Sequence, residues 1–345
     1  MNSRPWDVAV VGASSLIGEA LREELRNSDL PIGRIHALED AREFGREGAA
    51  GEGEEGLLEA SGFDFGRVRI AYFCGRSQQA RALAPVAAGQ TLVLDLSGAF
   101  RESPEVPLVA ADVNPGQLAR LGAEGAPIPK GLIALPGSAV VALATALAPL
   151  HAAARLVRAD VATYHSVSGA GRGALEELAR EAAALLNGQE PRLRAGATRL
   201  AFNVLPMVDA EAAGGSTLEE LRLQSEVVRL LEAPGLAVNA TAVRVPVFFG
   251  HAMAAHLQFE RDLDPAEALR LLQQAPGVSV GGPGPHPGFV TPAEGPAADR
   301  VHVGRVRRDG TRPASLNLWI VADNVRKCAA INATSTTHIL VNRYC

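Results

Sequence analysis

Between Lys130 and Arg155 the chain carries no Lys, Arg, Asp or Glu. A stretch so long without charge must be buried, and few architectures can bury it. Gly131-Leu-Ile-Ala-Leu135 has the character of a short apolar strand, and Pro136-Gly137 breaks it. From Ser138 the good helix formers Ala and Leu recur. A membrane-crossing helix needs about 20 continuous apolar residues. This segment is richer in Ala than in Leu or Phe and is cut at Pro136-Gly137 and Pro149, so it predicts a buried strand-turn-helix and no membrane span. Such a turn places Ser138 at a helix N-terminus, where unpaired N–H groups and the positive end of the macrodipole point outward. Ser138 is therefore a candidate anion contact or nucleophile.

A chain of 345 residues accommodates two domains with cores of their own. With 47% apolar and only 4% aromatic residues, those cores must rest on Ala, Val, Leu and Ile. The net charge of −5 gives no reason to expect nucleic acid or an anionic membrane as partner. Three widely spaced cysteines, Cys74, Cys328 and Cys345, argue against a disulfide framework and fit a reducing cytoplasm. They form no CxxC or Cys/His spacing, so no metal site is expected. Residues 1–7 lack a cationic segment followed by an apolar one, so no secretory signal is expected either.

Asp7-Val-Ala-Val-Val-Gly12-Ala-Ser14-Ser15-Leu16-Ile-Gly18 reads as a buried strand, a tight glycine turn and a helix to about residue 26. Gly12, Ser14, Ser15, Leu16 and Gly18 could then cradle a pyrophosphate at the helix N-terminus. A second strand over 34–38 ends in Glu39-Asp40, where a dinucleotide-binding unit keeps its ribose-reading acid. Residues 39–65, rich in Gly and Glu, read as a solvated loop or hairpin. Strands over 67–74 and 91–95 bracket a helix over 77–88, and this alternation implies a doubly wound parallel sheet. Past Pro149 longer strands (154–166, 237–249, 255–260, 301–307, 315–322) mix with helices (173–186, 218–231, 265–274), an α+β pattern whose open sheet would bury a face against a partner. Residues 276–298 read as loop, and a last helix is expected from 324 to about 340.

Ser138, His165, Arg244 and His251 stand out as chemistry-bearing residues. Arg244-Val-Pro-Val-Phe-Phe-Gly250-His251 reads as a strand closing on a glycine that aims a histidine into a cleft. A histidine there is more often structural than catalytic, so the two readings stay open on this evidence. Arg244 falls in phase within an apolar strand, and a buried Arg needs an anionic partner, either a protein carboxylate or a bound substrate. Arg101, in Ser97-Gly-Ala-Phe-Arg101, poses the same question, with a surface ion pair as the plain alternative.

The stretches VAVVGASSLIG, LDLSGAFR with PLVAADVN, TYHSVSGAG, AFNVLP, LEELRLQSEVVRLL, RVPVFFGH, VHVGRVRRDG and LWIVADNVRKCAAINA, in this order, resemble the aspartate-semialdehyde dehydrogenase family across nearly the whole chain. The resemblance implies an NADP-dependent interconversion of aspartyl phosphate and aspartate semialdehyde in amino-acid biosynthesis. It implies a Rossmann domain (1–136 plus 324–345) and an α+β substrate and dimerisation domain (137–323), hence a homodimer. The family's carboxylate-binding Arg matches Arg244, its general-base His matches His251, and its phosphate-binding Arg matches Arg101. Its amine-binding Glu matches Glu219, and its phosphate-site Lys becomes Arg222. Ser168, Gly169 and Asn324 fall at cofactor-binding positions, and Arg42 at a position that reads the 2′-phosphate, followed here by Glu43. The ligand implied is small, anionic and amino-acid-like, and the cofactor NADP, with NAD left open by Glu39 and Glu43.

The resemblance departs at the chemistry. The family reads Asn-Pro-Asn-Cys-Ser-Thr where this chain reads Leu-Pro-Gly-Ser138, and the family's active-site glutamine is His165. Thiolate is populated near neutral pH, whereas a serine hydroxyl must lose its proton almost completely and gives an ester that is a poorer hydride acceptor. Three functions follow as expectations. One is a paralogue that binds its ligands with the family activity lost or very low. Another is an oxidoreductase of altered, non-thioester chemistry. The third is a non-catalytic partner subunit.

Overall fold

The computed structural model describes residues 5–40, 57–281, 288–294 and 299–344. Its chain divides into two compact units, Met1–Gly137 with Ala329–Cys345, and Ser138–Cys328.

The first unit alternates β1 (Trp6–Val11), α1 (Leu16–Asn27), β2 (Ile32–Glu39), β3 (Leu58–Glu59), β4 (Ile70–Phe73), α2 (Ser77–Ala88), β5 (Leu92–Asp95) and β6 (Gly131–Ala134). The sheet runs in the order β3-β2-β1-β4-β5-β6 with every neighbouring pair parallel. This is the doubly wound arrangement expected from the alternation. The central strands β4 and β5, apolar but for Asp95, are buried along their whole length, because both faces are covered. The chain leaves β1 toward β2 on one side and returns at β4 on the other, so the turn after β1 stands at the topological switch point. The final helix, α7 (Asn332–Tyr344), belongs to this unit. It is tied in by a 2.7 Å hydrogen bond between the Tyr72 and Thr337 hydroxyls and by the Tyr344 hydroxyl donating to the Leu118 carbonyl at 2.7 Å.

The second unit holds α3 (Ser138–Ala154), β7 (Leu156–His165), α4 (Arg172–Leu186), α5 (Leu218–Leu230), β8 (Ala237–Arg244), β9 (His251–Phe259), α6 (Pro265–Gln274), β10 (Val278–Val280), β11 (Val301–Arg308) and β12 (Ser315–Ala322). Its sheet is mixed, in the order β10-β11-β12-β9-β7-β8. The α3 helix is buried on every side from Ala139 to Leu147, as a charge-free sequence requires, and packs on β7, β9, β11 and β12. The start of α5 is fixed by a reciprocal cap. Thr217 accepts from the Glu220 N–H, Glu220 accepts from the Thr217 N–H, and the second Glu220 oxygen accepts from the Ala242 N–H of β8 at 2.9 Å.

Several boundaries differ from the sequence expectation. Pro149 lies inside α3 and does not cut it; the helix runs on to Ala154. β8 stops at Arg244, five residues before Phe249, because Pro246 has no N–H for a ladder and Val247 instead bonds back to the Val245 carbonyl at 2.8 Å. His251 consequently opens β9. The last helix begins with a π-turn over Arg326–Ile331, leaving Asn324 outside it. Within the expected loop 39–65, Leu58–Glu59 pairs with β2 as a short edge strand, and 41–56 lie outside the described residues.

Candidate functional site

In the second unit four strand termini meet at one end of the sheet. β7 and β8 run parallel and pair His165 with Arg244 at their C-terminal ends. β9 runs antiparallel to β7 and starts there with His251, and β12 ends beside it, with Ala322 opposite His251. Side chains two apart on a strand share a face. His165 follows buried Thr163, Arg244 follows buried Ala242, and His251 precedes buried Met253, so all three point to the face that carries α3 and α5. The imidazoles of His165 and His251 lie 4.6 Å apart between centroids, and the residues are 3% and 2% exposed.

Each ring is held by its neighbours. His165 Nε2 lies 2.9 Å from the Thr163 hydroxyl and 4.0 Å from Glu219 Oε1 at the start of α5. His251 Nδ1 faces the Ser166 N–H and the Ser166 hydroxyl, each at 3.2 Å. A backbone N–H can only donate, so Nδ1 is the accepting nitrogen and the neutral ring carries its proton on Nε2. Ser166 in turn contacts the Ser168 hydroxyl at 3.0 Å and donates to Asn324 Oδ1 at 3.2 Å. Asn324 Oδ1 also accepts from the Gly250 N–H at 3.0 Å, and Asn324 Nδ2 donates to Ser168 at 2.9 Å. Arg244 closes the cluster by donating from Nη1 to the Ser166 carbonyl at 2.6 Å. Gly169 permits this packing, since a Cβ there would sit 3.3 Å from Arg244 Nη1 and 3.5 Å from the His251 ring.

Electrostatics keep both rings neutral. Burial, with the Arg244 charge beside it, pushes His165 down to about 3. Burial, then His165 and Arg244, holds His251 well below the ordinary histidine range. Burial also lowers Arg244, while Glu219 and Asp209 pull it back toward the charged form.

Ser138 is the first residue of α3 and half-buried. Arg222 forms an ion pair with Asp209, a partner that the sequence reading did not assign. Thr163 and Ser166 were also unassigned. Thr163 could have been found from its place two residues before His165, but the Ser166 contact depends on a register that only the folded sheet supplies. In the first unit Arg101 donates to two backbone carbonyls, Leu135 at 2.8 Å and Leu96 at 3.0 Å, where the sequence posed a carboxylate or a bound anion as partner. Cys74 and Cys328 are buried, and burial raises the Cys74 thiol, so packing accounts for both.

The turn after β1 is built by two close approaches. Gly12 has φ +78°, and a Cβ there would lie 2.3 Å from the Gly75 nitrogen; a Cβ on Gly18 would lie 2.3 Å from the Gly12 carbonyl oxygen. Ser15 caps α1 by accepting from the Gly18 N–H at 3.0 Å. Ser14 does not face outward: its N–H and hydroxyl both donate to Glu39 Oε2, at 3.0 and 2.5 Å. Leu16 opens α1, and Arg42 lies outside the described residues. Among the described residues no helix is long and apolar enough to cross a membrane, and no group of three or more His, Cys, Asp or Glu side chains could hold a metal ion.

This architecture has known counterparts. The semialdehyde dehydrogenase NAD binding domain matches residues 7–121, and the semialdehyde dehydrogenase dimerisation domain matches residues 147–327. The chain belongs to the semialdehyde dehydrogenase family. Aspartate-semialdehyde dehydrogenase 2 of Vibrio cholerae is 34% identical over 343 residues, 99% of each chain. A USG-1 protein homolog of Pseudomonas aeruginosa is 37% identical, again over 99% of each. The crystal structure of the Vibrio cholerae aspartate semialdehyde dehydrogenase II complexed with ASA is similar at a TM-score of 0.91 and 34% identity, covering 99% of this chain and 100% of that one. The family membership and the α/β fold expected from the motifs are thereby shown, as are an NAD(P)-binding domain and a dimerisation domain.

Proposed function

We propose that this family member binds a nicotinamide dinucleotide and a small anionic, amino-acid-like ligand, but has lost nearly all of the NADP-dependent aspartyl phosphate/aspartate semialdehyde activity that the resemblance implies. Ser138 takes the position of the family's nucleophilic cysteine. The observation that carries this reading is the state of His251. Its Nδ1 is engaged by the Ser166 N–H, so the buried neutral ring offers Nε2–H and no free lone pair for a hydroxyl proton. A serine nucleophile depends on such a base far more than a thiol does. Among the described residues no carboxylate orients His251 as one does in a Ser–His hydrolase; its bonds go to Ser166.

The ligand-holding residues fare differently. Arg244 would meet a carboxylate, Glu219 an amine, and Arg222 an anionic group in exchange for Asp209. Gly12, Ser15, Leu16 and Gly18 suit a pyrophosphate, since the first N–H groups of α1 open at a glycine turn. A dinucleotide bound there would supply the hydride donor or acceptor. In this reading 1–136 and 324–345 form the dinucleotide domain and 137–323 the other, and the protein is a cytoplasmic homodimer. The sheet face opposite α3, with Tyr164 and Trp319 packed at 5.9 Å, would take the second copy.

The test is a phosphate-dependent assay of NADP and NAD reduction with aspartate semialdehyde on the unmodified protein. The expected result is no rate above the blank. A turnover comparable to that of a cysteine-bearing family enzyme would overturn the proposal.

A further inference from the structure

The dinucleotide cradle has an acidic ribose end. In a doubly wound sheet a dinucleotide whose pyrophosphate rests on the turn after the first strand extends its adenosine ribose to the C-terminal end of the second strand. Here that end is Glu39-Asp40. Glu39 is 5% exposed and fixed, with Oε2 accepting both donors of Ser14 and Oε1 accepting from the Asp40 N–H at 3.3 Å. Beside it lies a cleft of about 300 Å³ lined by Asp40 just past β2, Glu59 of β3, Arg76 just before α2, and Gln79 and Leu83 of α2. Its carboxylates are already engaged. Asp40 lies 3.6 Å from Arg76, and Glu59 accepts from Ser61 at 2.5 Å. Among the described residues the other cation near Glu39 is Arg22, which is buried beneath the turn and donates to the Ala13 carbonyl.

A carboxylate accepts hydrogen bonds from a ribose diol, whereas a 2′-phosphate brings up to two negative charges and no donor of comparable strength. Placed at this strand end, a phosphate would face Glu39, Asp40 and Glu59, and of the described cations the one lining the cleft, Arg76, would have to be taken from Asp40. We propose that the acidic end of β2, completed by Glu59 across the cleft, makes this protein select NAD over NADP. The proposal rests on the dinucleotide reading above and fixes its cofactor.

Calorimetric titration with NAD and with NADP at equal ionic strength tests it, on the unmodified protein and on a combined Asp40→Ser, Glu59→Gln variant. Both substitutions are at partly or fully exposed positions, so the sheet is retained. Glu39 is left in place because it holds the turn. The expected result is NAD binding at least tenfold tighter than NADP, with the variant narrowing that ratio at least threefold. NADP binding as tightly as NAD would overturn the selection while leaving the dinucleotide reading standing. An unchanged ratio in the variant would overturn the role of Asp40 and Glu59. Failure of both dinucleotides to bind would overturn the dinucleotide reading and this inference together.

Discussion

The pair of buried histidines makes the protein sensitive to acid in a way that can be worked through. An unfolded histidine titrates near 6.5, whereas burial beside Arg244 takes His165 to about 3 in the folded protein. Because the folded value lies below the unfolded one, the unfolded chain binds the proton first. Stability is therefore whole above pH 6.5 and is lost as pH falls below it, continuing down to the folded value. At pH 5 the unfolded histidine is almost fully protonated and His165 is not, so the loss is about 2 kcal/mol for this one residue. That figure depends little on the folded value, which sits far below pH 5. Glu219, 4.0 Å from His165 Nε2, does not reverse the sign. The measurement is urea unfolding of the natural protein and of His165→Gln between pH 7.5 and 5. Glutamine fills similar space and does not titrate. The natural protein should lose about 2 kcal/mol more than the variant over that range. Parallel curves would show that His165 is not held neutral by burial, and the electrostatic account of the site would fail.

Two further substitutions probe the scaffolding. Glu220→Ala removes the acceptor of both the Thr217 and Ala242 N–H groups, one at a helix start and one in β8; a loss of about 2–4 kcal/mol is expected by chemical denaturation. Gly18→Ala puts a methyl 2.3 Å from the Gly12 carbonyl oxygen, so calorimetry should show dinucleotide binding weakened at least tenfold, while the circular dichroism of the second unit's helices is retained.

Much of the architecture was legible because local rules and tertiary demands agreed. The helix at Pro265–Gln274 starts where Asp264 caps and Pro265 fixes the first turn, and the strand Ser315–Ala322 carries its own apolar run. The errors fell where packing overrode local signals. Pro149 reads as a helix stop, yet α3 is enclosed on all sides and runs through it. The edge strand Leu58–Glu59 is too short to leave a periodicity. At the candidate site, His165, Arg244 and His251 were each visible as polar residues in apolar surroundings. Their convergence required the parallel register of β7 with β8 and the antiparallel return of β9. The Glu39 carboxylate on Ser14 was likewise invisible, since only the fold brings the end of β2 onto the turn after β1.

The central claim is that a hydroxyl at position 138 has ended the family's thioester chemistry. It is tested most directly by intact-mass measurement of the natural protein and of Ser138→Cys, each incubated with aspartate semialdehyde and oxidised dinucleotide without phosphate, followed by phosphate-dependent turnover of both. The account predicts no acyl adduct and no turnover for the natural protein, and an adduct on Cys at 138 with turnover raised by about three orders of magnitude or more in the variant. An acyl adduct on Ser138 of the natural protein, with turnover equal to that of the variant, would contradict it.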